Sequence, residues 1–186
     1  MKIAFAGDSI TASGNWATAI NFAEVENIAV PGGSTDGLLA AIPEIVASSP
    51  DLISVLIGTN DFGNPEINRE GADVGARVIA IVNEFKAQAP SAQLILHTIL
   101  PRGVEATGVD LRPRVIAANN FIKANLPTDI EFIDLWPLFV AADGLTLADQ
   151  YVKTDEPILK LHLNDNGYRE WITVLLPRLQ RMVNAN

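Results

Sequence analysis

The sequence predicts an α/β fold, namely a three-layer α/β/α sandwich around a five-stranded parallel sheet. Short apolar runs alternate along the chain with amphipathic stretches at helical spacing, which is the pattern of β-α-β units. The runs are apolar throughout rather than at every second position, as expected for strands covered by helices on both faces. The chain has 186 residues, of which 48% are hydrophobic. That size and composition indicate a single domain spanning residues 1–186.

Each predicted strand is an apolar run, and the first four end at glycine or proline. The predicted strands are Lys2–Ala6, Val25–Val30, Leu52–Ile57, Ala92–Leu100 and Glu131–Leu135. The residues that follow the first four are Gly7, Pro31, Gly58 and Pro101. Both residue types are typical of turns, so these positions mark the strand ends.

Helices are predicted where apolar residues recur at spacings of three and four. The predicted helices are Asn15–Phe22, Thr35–Ala47, Arg69–Ala89, Leu111–Ala124 and a last helix capped by Asn164. Pro177 lies inside the last one and should kink it or start a new helix, because proline lacks an N–H and clashes with the preceding turn. Residues 143–160 are the least regular stretch.

Composition excludes several classes of partner and chemistry. A formal net charge of −9 without a basic run argues against nucleic acid or an anionic membrane as partner. The absence of cysteine excludes disulfides, thiolate catalysis and Cys-ligated zinc, and it suits a reducing compartment. Apolar runs stop well short of the roughly 18 residues that span a bilayer. We therefore expect a cytoplasmic protein without a membrane span, although secretion after removal of a leader stays open.

Two residues far apart in the sequence suit nucleophilic catalysis. Ser9 directly follows the first strand, and His162 lies in a loop before the last helix. A serine needs a general base, and the neutral-range pKa of histidine suits that role. His97 is the rival base, but it falls within the fourth strand, where a packed and hydrogen-bonded histidine is expected.

Two further residues are candidates for stabilising an oxyanion. Gly32 and Asn60 follow the second and third strands, and ligands of parallel sheets bind beyond the carboxyl ends of the strands. Gly32 can present a backbone N–H without a side chain, and Asn60 can present its side-chain amide. Each is also a common turn residue, so the argument rests on all four positions together.

These four positions resemble the sequence blocks of the SGNH hydrolases, also called GDSL esterases. The blocks are Gly7-Asp8-Ser9-Ile10, Gly32, Gly58-Thr59-Asn60-Asp61 and His162-Leu163-Asn164. The resemblance implies a flavodoxin-like sheet of five parallel strands, with Ser9 as nucleophile and His162 as base. It also implies three oxyanion donors, which are the Ser9 N–H, the Gly32 N–H and the Asn60 side chain.

One position departs from this family. The family places an aspartate three residues before its histidine, where this chain has Leu159. Asp155 is the nearest upstream aspartate, and an inserted helical turn of about four residues could leave it facing His162. The alternatives are a Ser–His dyad oriented by a backbone carbonyl, and a catalytically inactive relative.

The expected function is hydrolysis of short acyl esters, with acetyl favoured, by way of an acyl-enzyme on Ser9. The segment Ile99–Gly103 resembles the branch that includes platelet-activating-factor acetylhydrolase-like enzymes and carbohydrate acetylesterases, so an acylated sugar or a short-chain ester is the expected partner. Arg102 could meet an anionic substrate, but a role in holding a loop is favoured. Motifs for metal, nucleotide and dinucleotide binding are missing, so no cofactor or metal is expected. A glycan- or lipid-binding module on an inactive scaffold is the alternative.

Overall fold

Five parallel strands form one sheet in the order β2-β1-β3-β4-β5. The computed structural model describes residues 1–64 and 66–184. The strands are β1 (Lys2–Gly7), β2 (Glu24–Asn27), β3 (Leu52–Leu56), β4 (Gln93–His97) and β5 (Glu131–Ile133). All four strand pairs are parallel, so the predicted five-stranded parallel sheet is confirmed.

Helices connect the strands throughout the described ranges. The α-helices are α1 (Ser9–Ala12), α2 (Trp16–Ala19), α3 (Thr35–Ala47), α4 (Asn60–Gly63), α5 (Gly71–Gln88), α6 (Arg112–Asn125), α7 (Trp136–Phe139) and α8 (Asp165–Asn184). A short 3-10 helix, Asp149–Tyr151, interrupts the irregular stretch. The helix predicted at Asn15–Phe22 is cut to four residues, because the chain must turn after Ile20 to enter β2 at Glu24.

Two separate hydrophobic cores lie on the two faces of the sheet. One contains Ile42, Val78 and Ile122, which belong to α3, α5 and α6. The other contains Ile10, Trp16 and Trp171, which belong to α1, α2 and α8. The strands contribute to both cores, so the predicted three-layer arrangement is confirmed.

Pro177 does not end the last helix. α8 runs through it from Asp165 to Asn184, so no new helix starts at the proline. Trp171, Leu175 and Leu179 flank it on the helix and all pack into the second core. Burial of these side chains offsets the hydrogen bond that proline removes, since most helical stability in proteins comes from packing.

The sheet reverses its strand order at β1, and this brings two sequence blocks together. β1 lies between β2 and β3, and Gly7 is paired with Leu56 in the β1–β3 register. Ser9 and Asn60, which follow these two strands, therefore emerge side by side at the carboxyl edge. That edge is where open parallel sheets bind ligands. None of the helices in the described ranges is long and apolar enough to cross a membrane.

Glycine allows α5 and α6 to pack closely. A Cβ atom on Gly75 would lie 2.7 Å from Phe121 Cβ and 2.9 Å from the Ala118 carbonyl oxygen. Gly37 in α3 is different, because the nearest neighbour of a Cβ there is Ser34 Oγ at 3.8 Å.

We expect Gly75→Ala to lower the free energy of unfolding by about 1–3 kcal/mol, because overpacking outweighs the better helix propensity of alanine. Gly37→Ala is the matched control and should leave stability unchanged or raise it by up to about 1 kcal/mol. Urea denaturation of both variants tests this. Equal effects of the two substitutions would contradict the close packing of α5 on α6.

Candidate active site

Ser9 and His162 meet at the carboxyl edge of the sheet. Ser9 is the first residue of α1, and the Asp8 carboxylate caps that helix by accepting from the Ile10 N–H. Ser9 Oγ lies 2.8 Å from His162 Nε2. Both side chains are half-buried, so the pair is fixed by its surroundings yet open to a ligand from solvent.

Glu156 is the carboxylate that contacts the imidazole. Glu156 Oε1 is hydrogen-bonded to His162 Nδ1, and Oε2 accepts the backbone N–H groups of Leu161 and His162 at 3.0 and 2.9 Å. An Nδ1–H that donates to a carboxylate leaves Nε2 free to accept a proton from a serine. Burial alone would raise the pKa of Glu156, but the hydrogen bonds from His162 and Leu161 outweigh it and hold this pKa below its ordinary value.

Asp155 therefore does not face His162, contrary to what the sequence led us to expect, and its neighbour Glu156 does. Asp155 is exposed, whereas the Glu156 side chain is only 17% exposed. The segment before His162 is also not a helical turn. It folds as successive turns, closed by a bond from the Lys153 N–H to the His162 carbonyl at 3.0 Å. Adjacent residues of a turn point in different directions, and of these two acids Glu156 is the one that points at the histidine.

The loop after β4 supports the histidine segment from behind. The Gly103 N–H donates to the Leu159 carbonyl at 2.7 Å, and a Cβ on Gly103 would lie 1.9 Å from the Ile158 carbonyl oxygen. Only glycine permits this approach. Leu159, which stands where the family has its aspartate, thus contributes its backbone to the site.

The expected oxyanion donors lie on the neighbouring loops. The Gly33 N–H is bonded to the Val30 carbonyl, whereas the Gly32 N–H has no acceptor within the described ranges. Asn60 Nδ2 donates to the Gly33 carbonyl at 2.9 Å, which orients the amide and leaves its second N–H available. Gly32 has a φ of +75°, a conformation that favours glycine.

Buried polar side chains hold these loops in place. Asp61 is fully buried and accepts the Thr35 N–H at 2.9 Å. Arg102 is also buried, and its Nη1 lies 3.4 Å from both the carbonyl and the hydroxyl of Thr59. Both residues act on loops. For Arg102 this is the role that the sequence favours, since its side chain is 3% exposed rather than open to an anionic substrate.

The family model of the GDSL-like lipase/acylhydrolases matches residues 5–170. The chain belongs to this family. Its members are carboxylic ester hydrolases, which is the class of enzyme that the sequence indicates. The matched residues run from β1 into α8 and include Ser9, Gly32, Asn60 and His162.

Part of the chain is also similar to individual proteins. The alpha2 subunit of platelet-activating factor acetylhydrolase IB from Gallus gallus is 32% identical over 103 residues, which are 54% of this chain and 42% of that protein. This chain therefore matches less than half the length of that relative.

Two solved structures of similar proteins share the fold. A GDSL-like lipase from Bacteroides thetaiotaomicron superposes with a TM-score of 0.83 at 19% identity, covering 100% of this chain and 89% of that one. A catalytic mutant of an acetylxylan esterase from Geobacillus stearothermophilus gives 0.74 at 20% identity, covering 95% and 92%.

As a GDSL-like family member, the chain departs from the pattern at the acid. Sequence reasoning missed Glu156 because it sought the aspartate of the family, and Asp155 was the nearest one upstream. The signal was nevertheless present, since Glu156 directly follows Asp155 and has a longer side chain. The sequence alone cannot show which of the two acids contacts His162, because that depends on the geometry of the turn.

His97, the rival base, lies in β4 and is buried against Trp171. Its Nε2 lies 2.9 Å from Ser54 Oγ. Burial, with a smaller effect of Arg178, lowers its pKa to about 3. The ring is therefore neutral at physiological pH and packed within the core, as the sequence predicts for a strand histidine.

Burial disfavours the ionised form of Asp8, which lies next to the nucleophile. The side chain is fully buried, and its Oδ2 has no hydrogen-bond partner in the described part of the chain. Burial, opposed by the bond from Ile10 and reinforced by the nearby charge of Asp61, raises the pKa of Asp8 to about 7.

Stability should therefore depend on pH through Asp8. Between its ordinary pKa of 3.8 and about 7, the unfolded chain ionises while the native carboxyl keeps its proton, so this group lowers the free energy of unfolding as pH rises. Asp8→Asn removes the effect. The stability of the variant relative to the wild type should rise across this window and level off above it, as measured by urea denaturation at a series of pH values.

Asp129→Asn is the control. Asp129 is exposed, and its hydrogen bond from Lys86 lowers its pKa, so it is ionised in both states above about pH 5. The relative stability of this variant should therefore stay constant from about pH 5 to about pH 7, where that of Asp8→Asn still rises. A constant value for Asp8→Asn as well would contradict the raised pKa.

Proposed function

We propose that this protein hydrolyses carboxylic esters with a catalytic triad of Ser9, His162 and Glu156. The observation that carries the proposal is the continuous line of hydrogen bonds from Ser9 Oγ to His162 Nε2 and from His162 Nδ1 to Glu156. This arrangement favours a triad over the two alternatives, a dyad and an inactive scaffold. It is the geometry that general-base activation of a serine requires.

Each group in the line has its own part in the reaction. His162 Nε2 takes the proton of Ser9 as Oγ bonds to the ester carbonyl carbon. The imidazolium then donates this proton to the leaving alkoxide as the carbon–oxygen bond to the alcohol breaks. Water repeats both steps on the acyl-enzyme and releases the acid. Glu156 holds the Nδ1–H tautomer and stabilises the imidazolium.

Three N–H groups are the proposed donors to the oxyanion of the tetrahedral intermediate. They are the Ser9 N–H at the first turn of α1, the Gly32 N–H and the second side-chain N–H of Asn60. One such donor is worth about 2.7–4 kcal/mol in a transition state, because it is oriented before charge develops.

We propose acetyl esters, on a sugar or another small alcohol, as substrates. Two similar proteins support this, since one is named an acetylxylan esterase and the other a platelet-activating factor acetylhydrolase subunit. The Ser9–His162 pair is half-buried rather than enclosed, which also leaves room for a polar alcohol.

One feature favours a second candidate, the hydrolysis of longer acyl esters. A groove of about 510 Å³ runs between α3 and the edge strand β2, and it reaches Gly33 beside the oxyanion donors. Its walls include the apolar side chains of Ile28, Val30, Leu38 and Ala41. An acyl chain lying there would extend the substrate range beyond acetyl.

Chromogenic esters with acyl chains of two to sixteen carbons should separate these possibilities. We expect the highest kcat/KM with acetyl, and complete loss of turnover and of phosphonate labelling in Ser9→Ala. A maximum at medium or long chains would instead support occupation of the groove. Turnover that survives in Ser9→Ala would contradict the proposed mechanism. Undetectable turnover of the wild type would favour a glycan- or lipid-binding module.

The acid can be tested with two neighbouring substitutions that remove the same charge. Glu156→Gln should lower kcat by about 10²- to 10⁴-fold, because an amide has one acceptor oxygen for three donors and promotes the wrong histidine tautomer. Asp155→Asn should leave kcat within about twofold, since this side chain points to solvent. Equal losses in both variants would point to damage to the loop, and full activity of Glu156→Gln would remove it from the triad.

A further inference from the structure

Five side chains form a closed ring of hydrogen bonds behind the oxyanion donors. Thr35 Oγ1 donates to Asp61 Oδ1 at 2.5 Å. Arg69 donates to the same Asp61 oxygen at 3.0 Å, and to Asp36 Oδ2 at 2.5 Å. Arg77 pairs with the other Asp36 oxygen and closes the ring by donating from Nε to Thr35 Oγ1 at 3.2 Å.

Charge and hydrogen bonding are balanced around the ring. Two arginines face two aspartates, and the threonine hydroxyl donates to one neighbour and accepts from the other. Asp61 is fully buried, whereas the side chains of Arg69 and Arg77 are 21% and 35% exposed. A buried carboxylate needs such partners, because an unpaired buried charge is strongly destabilising.

The ring links the two loops that carry the expected donors. Thr35 and Asp36 are the first two residues of α3, directly after the loop that carries Gly32, and Asp61 directly follows Asn60. Arg69 precedes α5 and Arg77 lies within it, so both arginines attach these loops to the longest helix on that face. Apart from the ring, the loops are joined by the Asn60–Gly33 bond and by the Thr35 N–H to Asp61.

We propose that Thr35, Arg69 and Arg77 are positioning residues that set the spacing between the Gly32 N–H and the Asn60 amide. This inference rests on the proposed ester hydrolysis for its kinetic consequence, but the spacing itself is a property of the folded chain. An oxyanion hole works only if its donors are fixed before the charge forms. Opening the ring should therefore reduce transition-state stabilisation more than substrate binding.

Thr35→Val opens the ring with little change in volume and keeps the backbone N–H that binds Asp61. We expect kcat per active site to fall by about 10- to 100-fold, because small displacements of catalytic groups have effects of this size. KM should change by no more than about twofold. The rate of phosphonate labelling of Ser9 should fall with kcat. Phosphonate titration to completion gives the number of active sites.

Two further variants test whether the loss of kcat comes from the open ring. One restores the threonine hydroxyl, and the other opens the ring at a different residue. Thr35→Ser returns the hydroxyl and should recover kcat to within about threefold of the wild type. Arg77→Met should repeat the loss, since it removes the ring at a partly exposed position. Arg178→Met is the control, because Arg178 is about as exposed as Arg77 and pairs with Glu131 at the amino end of β5, at the opposite end of the sheet from the ring. It should keep full activity.

A measurement without substrate separates this inference from the proposed function. Amide order parameters from NMR should fall at the Gly32 backbone and the Asn60 side chain in Thr35→Val and Arg77→Met, and should stay unchanged in Arg178→Met. Unchanged order at both groups would overturn the positioning role, whatever the enzyme hydrolyses. A loss of active sites with normal kcat per site would likewise show that the ring serves only stability. Loss of order in a protein without esterase activity would support the ring and refute the proposed function.

Discussion

The hydrogen bond between Ser9 Oγ and His162 Nε2 joins residues that are 153 positions apart. Both residues depend on the parallel sheet for their positions. Ser9 lies at the carboxyl edge because it follows β1, and the loop before α8 places His162 at the same edge. The second core, with Trp16 on α2 and Trp171 on α8 in edge-to-face contact at 4.8 Å, fixes the helices that follow the serine and the histidine in the chain. The Tyr168 hydroxyl adds a direct tie by donating to the Ile10 carbonyl at 2.7 Å.

The histidine can serve this contact only if its loop is rigid without being regular. Glu156 accepts three N–H groups of the segment 161–162, so one carboxylate both orients the imidazole and shapes the backbone around it. Lys160 has a φ of +42°, which bends the chain between the acid and the base. The acid thus lies six positions before the base in this chain, whereas the family pattern has three.

The other face of the site is held by charge rather than by apolar packing. Asp61 and Arg102 are buried beside the loops after β2 and β3, and each is hydrogen-bonded to a neighbouring segment. Such groups favour one arrangement strongly because any other would leave a buried charge unpaired. Asp8 shows the opposite case, since burial there outweighs its one good hydrogen bond. The buried Asp8 carboxyl therefore lowers the stability of the fold at neutral pH, while its bond from the Ile10 N–H holds the helix that begins with Ser9.

The sequence by itself determined the sheet, its parallel strands and the positions of Ser9, Gly32, Asn60 and His162, because strand ends are marked by local signals and parallel strands bring their carboxyl ends to one edge. α3 begins and ends where its periodicity predicts. Only the tertiary structure decided between Asp155 and Glu156, since adjacent residues of an irregular turn differ in direction and not in pattern. The ring through Arg69 and Arg77 was equally hidden, because its members come from three separate segments and no local period connects them.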